Sequence, residues 1–397
     1  MNQTRLTFPD WTGSILNVSA TLQDYLGTPN DLPKIELLKT RLQNDYKNVV
    51  YIIVDGMGLG VLEKHLPAKS FLRTHVAKTI TSVFPSTTTC ATTTILSATP
   101  PARHGWFAWA MNFGDRTIEL YRDRDYYTGE PLDEKGFADK RLPYDYFFEH
   151  PSKPIDTYSC LPSKIVNFKR WAKMKDAVTF DNDKTKTCFK QLDRLCKRDR
   201  KKFVYTYHCQ LDGVMHRHGA TSNQARKVLL QLDKGLKWLA KRNPDTLLVV
   251  TADHGHIDVR GFVDIYRDTD LMSCLSQKPS LDPRAGAFFV KPTMRDDFKK
   301  AFAKYEHDFA LFETNDLIKR GVFGEFDCDK HKEFLGDFIA VGTDTHKILV
   351  FADEKRYTDK DKKLLYKGHH TGLSKEEMIV PLIVIGNEKG STSCKNA

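Results

Sequence analysis

The chain has 397 residues, of which 40% are hydrophobic and 28% charged, enough apolar material for a full core and too much for a disordered polypeptide; one large domain with a smaller one is expected. No apolar run approaches the ~20 residues of a bilayer span, and residues 1–7 lack the charged-then-apolar pattern of an export signal, so a cytoplasmic protein with no membrane partner is expected. The formal charge of +10 is dispersed over short basic runs, densest at residues 194–202, which suits attraction of anionic phosphates; no nucleic-acid-binding motif accompanies it.

Eight cysteines without a Cys-x-x-Cys pair argue against a zinc ribbon and, with no export signal, against a disulfide framework. Residues 1–45 read as an N-terminal lead-in, with Leu37, Leu38 and Leu42 at helical spacing. Residues 48–55 form a continuous apolar run rich in β-branched side chains, the pattern of a strand buried on both faces of a parallel sheet. The run delivers Asp55, ahead of Gly56, to the carboxyl end of the strand, where open α/β sheets bind ligands. Alone, it reads equally well as an Asp-Gly turn.

In residues 83–96, Pro85 ends extended backbone and Ser86, Thr87, Thr88 and Thr89 are of the kind that cap a helix. A hydroxyl at such a boundary sits beside unpaired backbone N–H groups and the positive end of the helix dipole, where a phosphoryl group is easily held. Thr88 is therefore a candidate nucleophile, but a threonine hydroxyl needs a base or a metal to activate it. In isolation the segment is a threonine-rich capped turn. The aromatics of residues 106–165 read as packing, with a base-stacking wall as the alternative.

Residues 202–207 form a second strand and run into Asp212 and His216, four apart, so that one helical turn or a tight loop aims both at one ion; His218 is a further ligand candidate, although two residues on it faces elsewhere in a helix. An amphipathic helix spans residues 222–242 and stops at Pro244. Residues 246–251 are a third buried strand, ending in Ala252-Asp253-His254-Gly255-His256, so a second aspartate reaches the same rim, now with histidines. Residues 257–345 interrupt the pattern and are expected to form a small inserted α+β cap, with strands at 286–290 and 309–312 around a helix carrying Phe298, Phe302 and Tyr305. Residues 338–341 and 348–351 are expected to return to the main sheet. His369 and His370 lie between Gly368 and Gly372, a backbone suited to close approach to an ion, before a final strand at 379–385. The core is thus expected over 46–256 and 346–386, with a flexible tail at 387–397.

Asp55, Asp212, His216, Asp253, His254 and His370 supply three carboxylates and three imidazoles. Mixed oxygen and nitrogen ligation suits two divalent ions of the zinc or manganese type and suits calcium poorly. Two such ions ~4 Å apart stabilise both the attacking and the leaving oxygen of an in-line phosphoryl transfer.

Taken in chain order, Val54-Asp55-Gly56-Met57-Gly58, the segment from Phe84 to Thr89 with Pro101-x-x-His104-Gly105 after it, Asp212-x-x-x-His216, Ala252-Asp253-His254-Gly255 and Gly368-x-His370 resemble the alkaline phosphatase superfamily. Within it the pattern is most similar to the type I phosphodiesterase and nucleotide pyrophosphatase branch, from about residue 49 to residue 385. That resemblance implies a three-layer α/β/α sandwich with a mostly parallel central sheet. It also implies a metal-dependent hydrolase that cleaves phosphodiester or pyrophosphate bonds of small, nucleotide-type substrates through a phosphothreonine. By the same analogy Asp55, Asp253, His254 and the Thr88 oxygen hold one ion and Asp212, His216 and His370 the other, zinc being favoured and manganese the alternative. Thr88 is preferred to Thr87 because an ungapped match to the family's Thr-Phe-Pro-Asn-His run, anchored on His104 and Gly105, places the nucleophile there.

The family's phosphate-binding Asn then falls on Ala91, which leaves a backbone N–H or Thr92 as the substrate-binding donor. Cys90 lacks the Pro and Arg of a sulfatase frame, which excludes that branch. Two other readings remain. One is a phosphomonoesterase or phosphomutase, which the sequence from His370 to Met378 also resembles. The other is a catalytically silent scaffold, which predicts a missing ligand or nucleophile where none is missing.

Overall fold

The computed structural model describes residues 6–166, 177–181, 184–327, 329–352 and 366–387; the expected tail beyond Asn387, like Cys328 and Cys394, lies outside them. The apolar run before Asp55 is strand β1 (Asn48–Val54), buried at every residue. The sheet around it uses β2 (Val76–Thr81), β3 (Asp156–Pro162), β4 (Ala177–Phe180), β5 (Lys202–His208) and β6 (Thr246–Thr251). A second sheet follows in β7 (Leu275–Asp282), β8 (Ala285–Val290), β9 (Phe309–Glu313) and β10 (Phe338–Gly342), and the chain returns as β11 (Ile379–Ile385). The central sheet has seven strands in the order β2-β11-β6-β1-β5-β3-β4. Pairings from β6 through β4 are parallel, whereas β11 runs antiparallel to both its neighbours.

Register places the site. Val54 pairs with His208 and Ile53 with Thr251, so β1, β5 and β6 end level and feed their following residues to one rim. Helices cover both faces. Tyr51 and Tyr205 are register partners and share a face, on which the Tyr51 hydroxyl lies 3.3 Å from Ser19. Ser19 belongs to α1 (Ile15–Tyr25) and donates to the carbonyl of Ile95 in α2 (Thr88–Ser97). The next residue, Thr206, points the opposite way and meets Cys188 Sγ at 3.9 Å on α3 (Thr185–Lys197). On that side α4 (Gln210–His218) and α5 (Asn223–Arg242) complete the layer, α5 burying Val228, Leu229, Leu232, Leu236 and Leu239 behind a Ser222 cap. The result is the three-layer α/β/α sandwich.

Several elements depart from expectation. Residues of the N-terminal stretch form α1, whose Ile15, Val18 and Leu22 are buried in the main core; its hydroxyl and amide residues among them hide a helical period of apolar side chains. In the short helix Glu36–Leu42, Leu38 and Leu42 are buried while Leu37 is 42% exposed. Residues 338–341 and 348–351 do not rejoin the main sheet. β10 lies between β8 and β9 in the second sheet, and Lys347–Val350 pairs in parallel with Gly261–Asp264. An apolar run signals burial without naming the sheet that buries it.

The second sheet is antiparallel, in the order β7-β8-β10-β9. One face takes Phe288 and Phe338, whose rings pack at a tilt against that of Phe298 of α6 (Arg295–Phe302). The other face turns Ala287, Ile339 and Val341 toward Phe84, Trp106 and Phe107. This inserted sheet therefore packs directly against the segment that carries Thr88.

Candidate functional site

Asp55 follows β1, Asp212 and His216 project from α4 after β5, and Asp253, His254 and His256 follow β6. Close backbone approach compresses these loops. A Cβ on Gly255 would sit 1.9 Å from the Glu376 carbonyl oxygen, and one on Gly58 would sit 2.7 Å from Gly255 Cα; only glycine admits that contact. The Gly255 N–H donates to the Glu377 carbonyl at 2.7 Å and the His256 N–H to that of Glu376 at 3.1 Å, which anchors the histidine loop beneath the residues after His370.

Four imidazoles are oriented alike. Nδ1 of His216 faces the Gly368 carbonyl at 2.8 Å, that of His370 the Ser86 carbonyl at 3.0 Å, that of His254 the Gly255 carbonyl at 2.9 Å and that of His256 the Ile257 carbonyl at 3.3 Å. A carbonyl only accepts, so each Nδ1 carries the proton and each Nε2 presents a lone pair to the carboxylates. Burial lowers the pKa of His216 to about 4, and burial together with His254 and His216 holds His370 well below the usual range. These two rings are neutral at pH 7, the form that ligates metals.

The ligand atoms fall into two groups that share Asp212. Asp212, His216, His256 and His370 each present one atom, all within 4.8 Å of one another, and Asp55, Asp212 and His254 do the same. Asp253 stands outside both groups; its Oδ1 accepts from the Gly56 and His254 N–H groups, and its Oδ2 is 3.6 Å from His254 Nε2. Thr88 is the half-buried first residue of α2, whose other nine residues are buried. Its Oγ1 lies 3.2 Å from His254 Nε2. His218 is exposed and outside the cluster. Thr92 is buried and donates its hydroxyl proton to the Thr88 carbonyl at 2.6 Å, so that proton is committed within the helix.

Asp55 Oδ1, Asp212 Oδ1 and His256 Nε2 are buried without a hydrogen-bond partner. Leaving such atoms unsatisfied costs on the order of 1–3 kcal/mol each, more when charged. Burial, then the charges of Asp212 and Asp253, push the Asp55 pKa well above the carboxylate range. Clustered carboxylates faced by imidazole lone pairs are a donor set for divalent cations, so the residues present fit such ions.

Three participants were not singled out from the sequence. His256 stood in the Asp-His-Gly-His run. Tyr207 was legible only as a strand residue, yet its hydroxyl donates to Asp55 Oδ2 and lies 3.3 Å from Asp253 Oδ2. Asp282 ends β7 and accepts the Trp109 N–H at 3.3 Å and the Thr87 hydroxyl, with burial raising its pKa to about 6. No local pattern marks either contact.

A level rim of parallel strands carrying carboxylates and histidines beside a hydroxyl at a helix N-terminus defines a phosphohydrolase of alkaline phosphatase type. The sequence matches the type I phosphodiesterase / nucleotide pyrophosphatase family over residues 49–371, and the chain belongs to that family. No curated protein matches it significantly. Among solved structures, murine ectonucleotide pyrophosphatase / phosphodiesterase 5 (ENPP5, NPP5), in an inactive form with AMP, is 15% identical, with a TM-score of 0.58 over 85% of this chain and 87% of that one. Phosphonoacetate hydrolase from Sinorhizobium meliloti 1021 in complex with phosphonoformate is 17% identical, with a TM-score of 0.59 over 86% and 90%. At these identities the likeness speaks to the fold. Among the described residues no helix is long and apolar enough to cross a membrane.

Proposed function

We propose that the protein hydrolyses phosphodiester or pyrophosphate bonds of small, nucleotide-type substrates with Thr88 as nucleophile and two divalent ions, zinc in the first place and manganese as the alternative. The observation that carries this reading is the Thr88 hydroxyl, open at the start of an otherwise buried helix and 3.2 Å from His254 Nε2 within a cluster of unsatisfied ligand atoms. When bound, the ions would make the threonine oxygen and water nucleophilic at neutral pH and offset charge on the attacking and leaving oxygens. Asp55, Asp253, His254 and the Thr88 oxygen would hold one, and Asp212, His216 and His370 the other.

The chain's own groups set the geometry. No side chain caps α2, so its first N–H groups and dipole face the position of a phosphoryl oxygen; with Thr92 committed, these are the donors available to the phosphate. Thr88 Oγ gives its proton to water and forms the bond to phosphorus as the bond to the leaving oxygen breaks, and the leaving group departs with a proton returned from that water. A second water then cleaves the phosphothreonine and restores the hydroxyl. Trp109 is half-buried, its ring 5.2 Å from that of Tyr121. Its backbone is tied through Asp282 to Thr87, which supports a base-stacking wall beside the nucleophile. AMP in the murine structure and phosphonoformate in the bacterial one support a small phosphorylated substrate. The six described cysteines are free, in keeping with a cytoplasmic location.

The test compares Thr88→Ala with the wild type on an aryl phosphodiester and the matching aryl monoester, with metal content assayed on the same samples. The variant is expected to lose about 10⁴-fold or more in kcat. Full diesterase activity in a metal-loaded Thr88→Ala protein would remove the nucleophile, and faster turnover of the monoester would replace the substrate class.

A further inference from the structure

We propose that His256 is a fourth protein ligand of the ion held by Asp212, His216 and His370, which turns that position from an open three-ligand site into a closed four-ligand one. The inference rests on the two-ion reading above and adds to it a division of labour between the ions.

The distances single out one oxygen. Around Asp212 Oδ1, Nε2 of His216 lies at 3.3 Å, Nε2 of His256 at 3.3 Å and Nε2 of His370 at 3.7 Å. Ligand atoms bound tetrahedrally at ~2.0–2.1 Å from zinc are about 3.3 Å apart, so His256 stands as close to that spacing as His216 does. The side chain of His256 is wholly buried, and its Nε2 has no hydrogen-bond partner, nor has Asp212 Oδ1. Its Nδ1 faces a backbone carbonyl as in the other three rings, which leaves the Nε2 lone pair aimed at the cluster. The ring is held in place: a Cβ on Gly368 would lie 2.7 Å from its Cε1, and it packs at 4.8 Å and 71° against His216 and at 5.4 Å and 61° against His370.

Three imidazoles and one carboxylate favour zinc over magnesium, calcium or manganese. Four protein ligands also fill the sphere of a tetrahedral ion, which then accepts a substrate oxygen only by expanding its coordination. The protein is therefore expected to hold one tight ion on the His256 side and one weaker, exchangeable ion beside Thr88.

The full chain, stripped of metal, is titrated with zinc against a chromophoric chelator, and in parallel with cobalt(II) while its visible absorption is followed. Wild type is expected to bind two ions of unequal affinity. In His256→Ala the tighter site is expected to weaken by 100-fold or more and its cobalt band to lose intensity as water replaces the imidazole, while the weaker site changes less than tenfold. The melting temperatures of the metal-free proteins report folding, and His256→Gln replaces the alanine variant should the latter fail to fold. Unchanged affinities in the variant overturn the assignment and leave the two-ion reading standing. Weakened binding with an unaltered cobalt spectrum makes His256 a positioning residue and likewise overturns it. A wild type that binds no ion overturns both.

Discussion

Two buried clusters of charge meet at residues 370–377, built to opposite rules. Arg284 and Glu377 are both fully buried, and every group between them is used. The guanidinium donates to the two Glu377 oxygens at 2.7 and 2.9 Å and to the carbonyls of Lys347, Gly342 and Thr343. Glu377 also accepts from the Gly372 and Ser374 N–H groups. In the neighbouring cluster Asp55, His254, His256 and His370 are buried, while the side chains of Asp212 and His216 are 13% and 18% exposed, yet Asp55 Oδ1, Asp212 Oδ1 and His256 Nε2 are left without partners. The first cluster closes on itself and joins the inserted sheet to the loop carrying His370. The second has the composition of a site that a ligand completes. Here the satisfied cluster reads as a fastener, and the one in which unsatisfied carboxylate and imidazole atoms converge reads as a candidate site.

The largest effect should come from breaking the closed cluster. Glu377→Ala strands the Arg284 charge and is expected to cost about 3–5 kcal/mol in urea denaturation, whereas the paired change Arg284→Met with Glu377→Gln should cost less than that single substitution. A loss below about 1 kcal/mol for Glu377→Ala would show that this pair is no fastener. Asp282, two residues from Arg284 and in contact with Thr87, tests the boundary between the clusters. Its pKa is raised by burial from 3.8 to about 6, so the folded state favours the protonated form. Stability is lost as pH rises from 3.8 through 6 and stays lost above. Asp282→Asn should therefore stabilise the metal-free protein by up to about 3 kcal/mol at pH 8, with the gain fading toward pH 4. Equal effects at both pH values would remove the titration argument. The smallest effect concerns the open cluster: Tyr207→Phe removes the donor that orients Asp55, and zinc affinity should fall about 10–100-fold in chelator competition. Unchanged affinity would detach Tyr207 from the site.

Much of this architecture was legible along the chain. The runs before Asp55, Asp212 and Asp253 are apolar on both faces because the strands they form are buried on both faces, and that property belongs to each segment alone. The Asp212 and His216 spacing is likewise a local consequence of one helical turn. β3 and β7 are hidden because polar residues and prolines break their apolar signal, and β4 because it is only four residues long. β10 was legible as a strand but not as a member of the second sheet, since β8 and β9 pair with it from 25 or more positions away in the chain.

The sequence by itself determined which strands are buried, which residues follow them and which functional groups the rim would receive, because periodicity and capping act over a few neighbouring residues. Only the tertiary structure decided that Asp212 is shared by two groups of ligand atoms, that His256 turns inward while His218 faces solvent, and that Tyr207 and Asp282 reach the site. These outcomes depend on strand register and on the Gly58 and Gly255 contact. They are fixed by atoms distant in the chain that meet only once the sheet has formed.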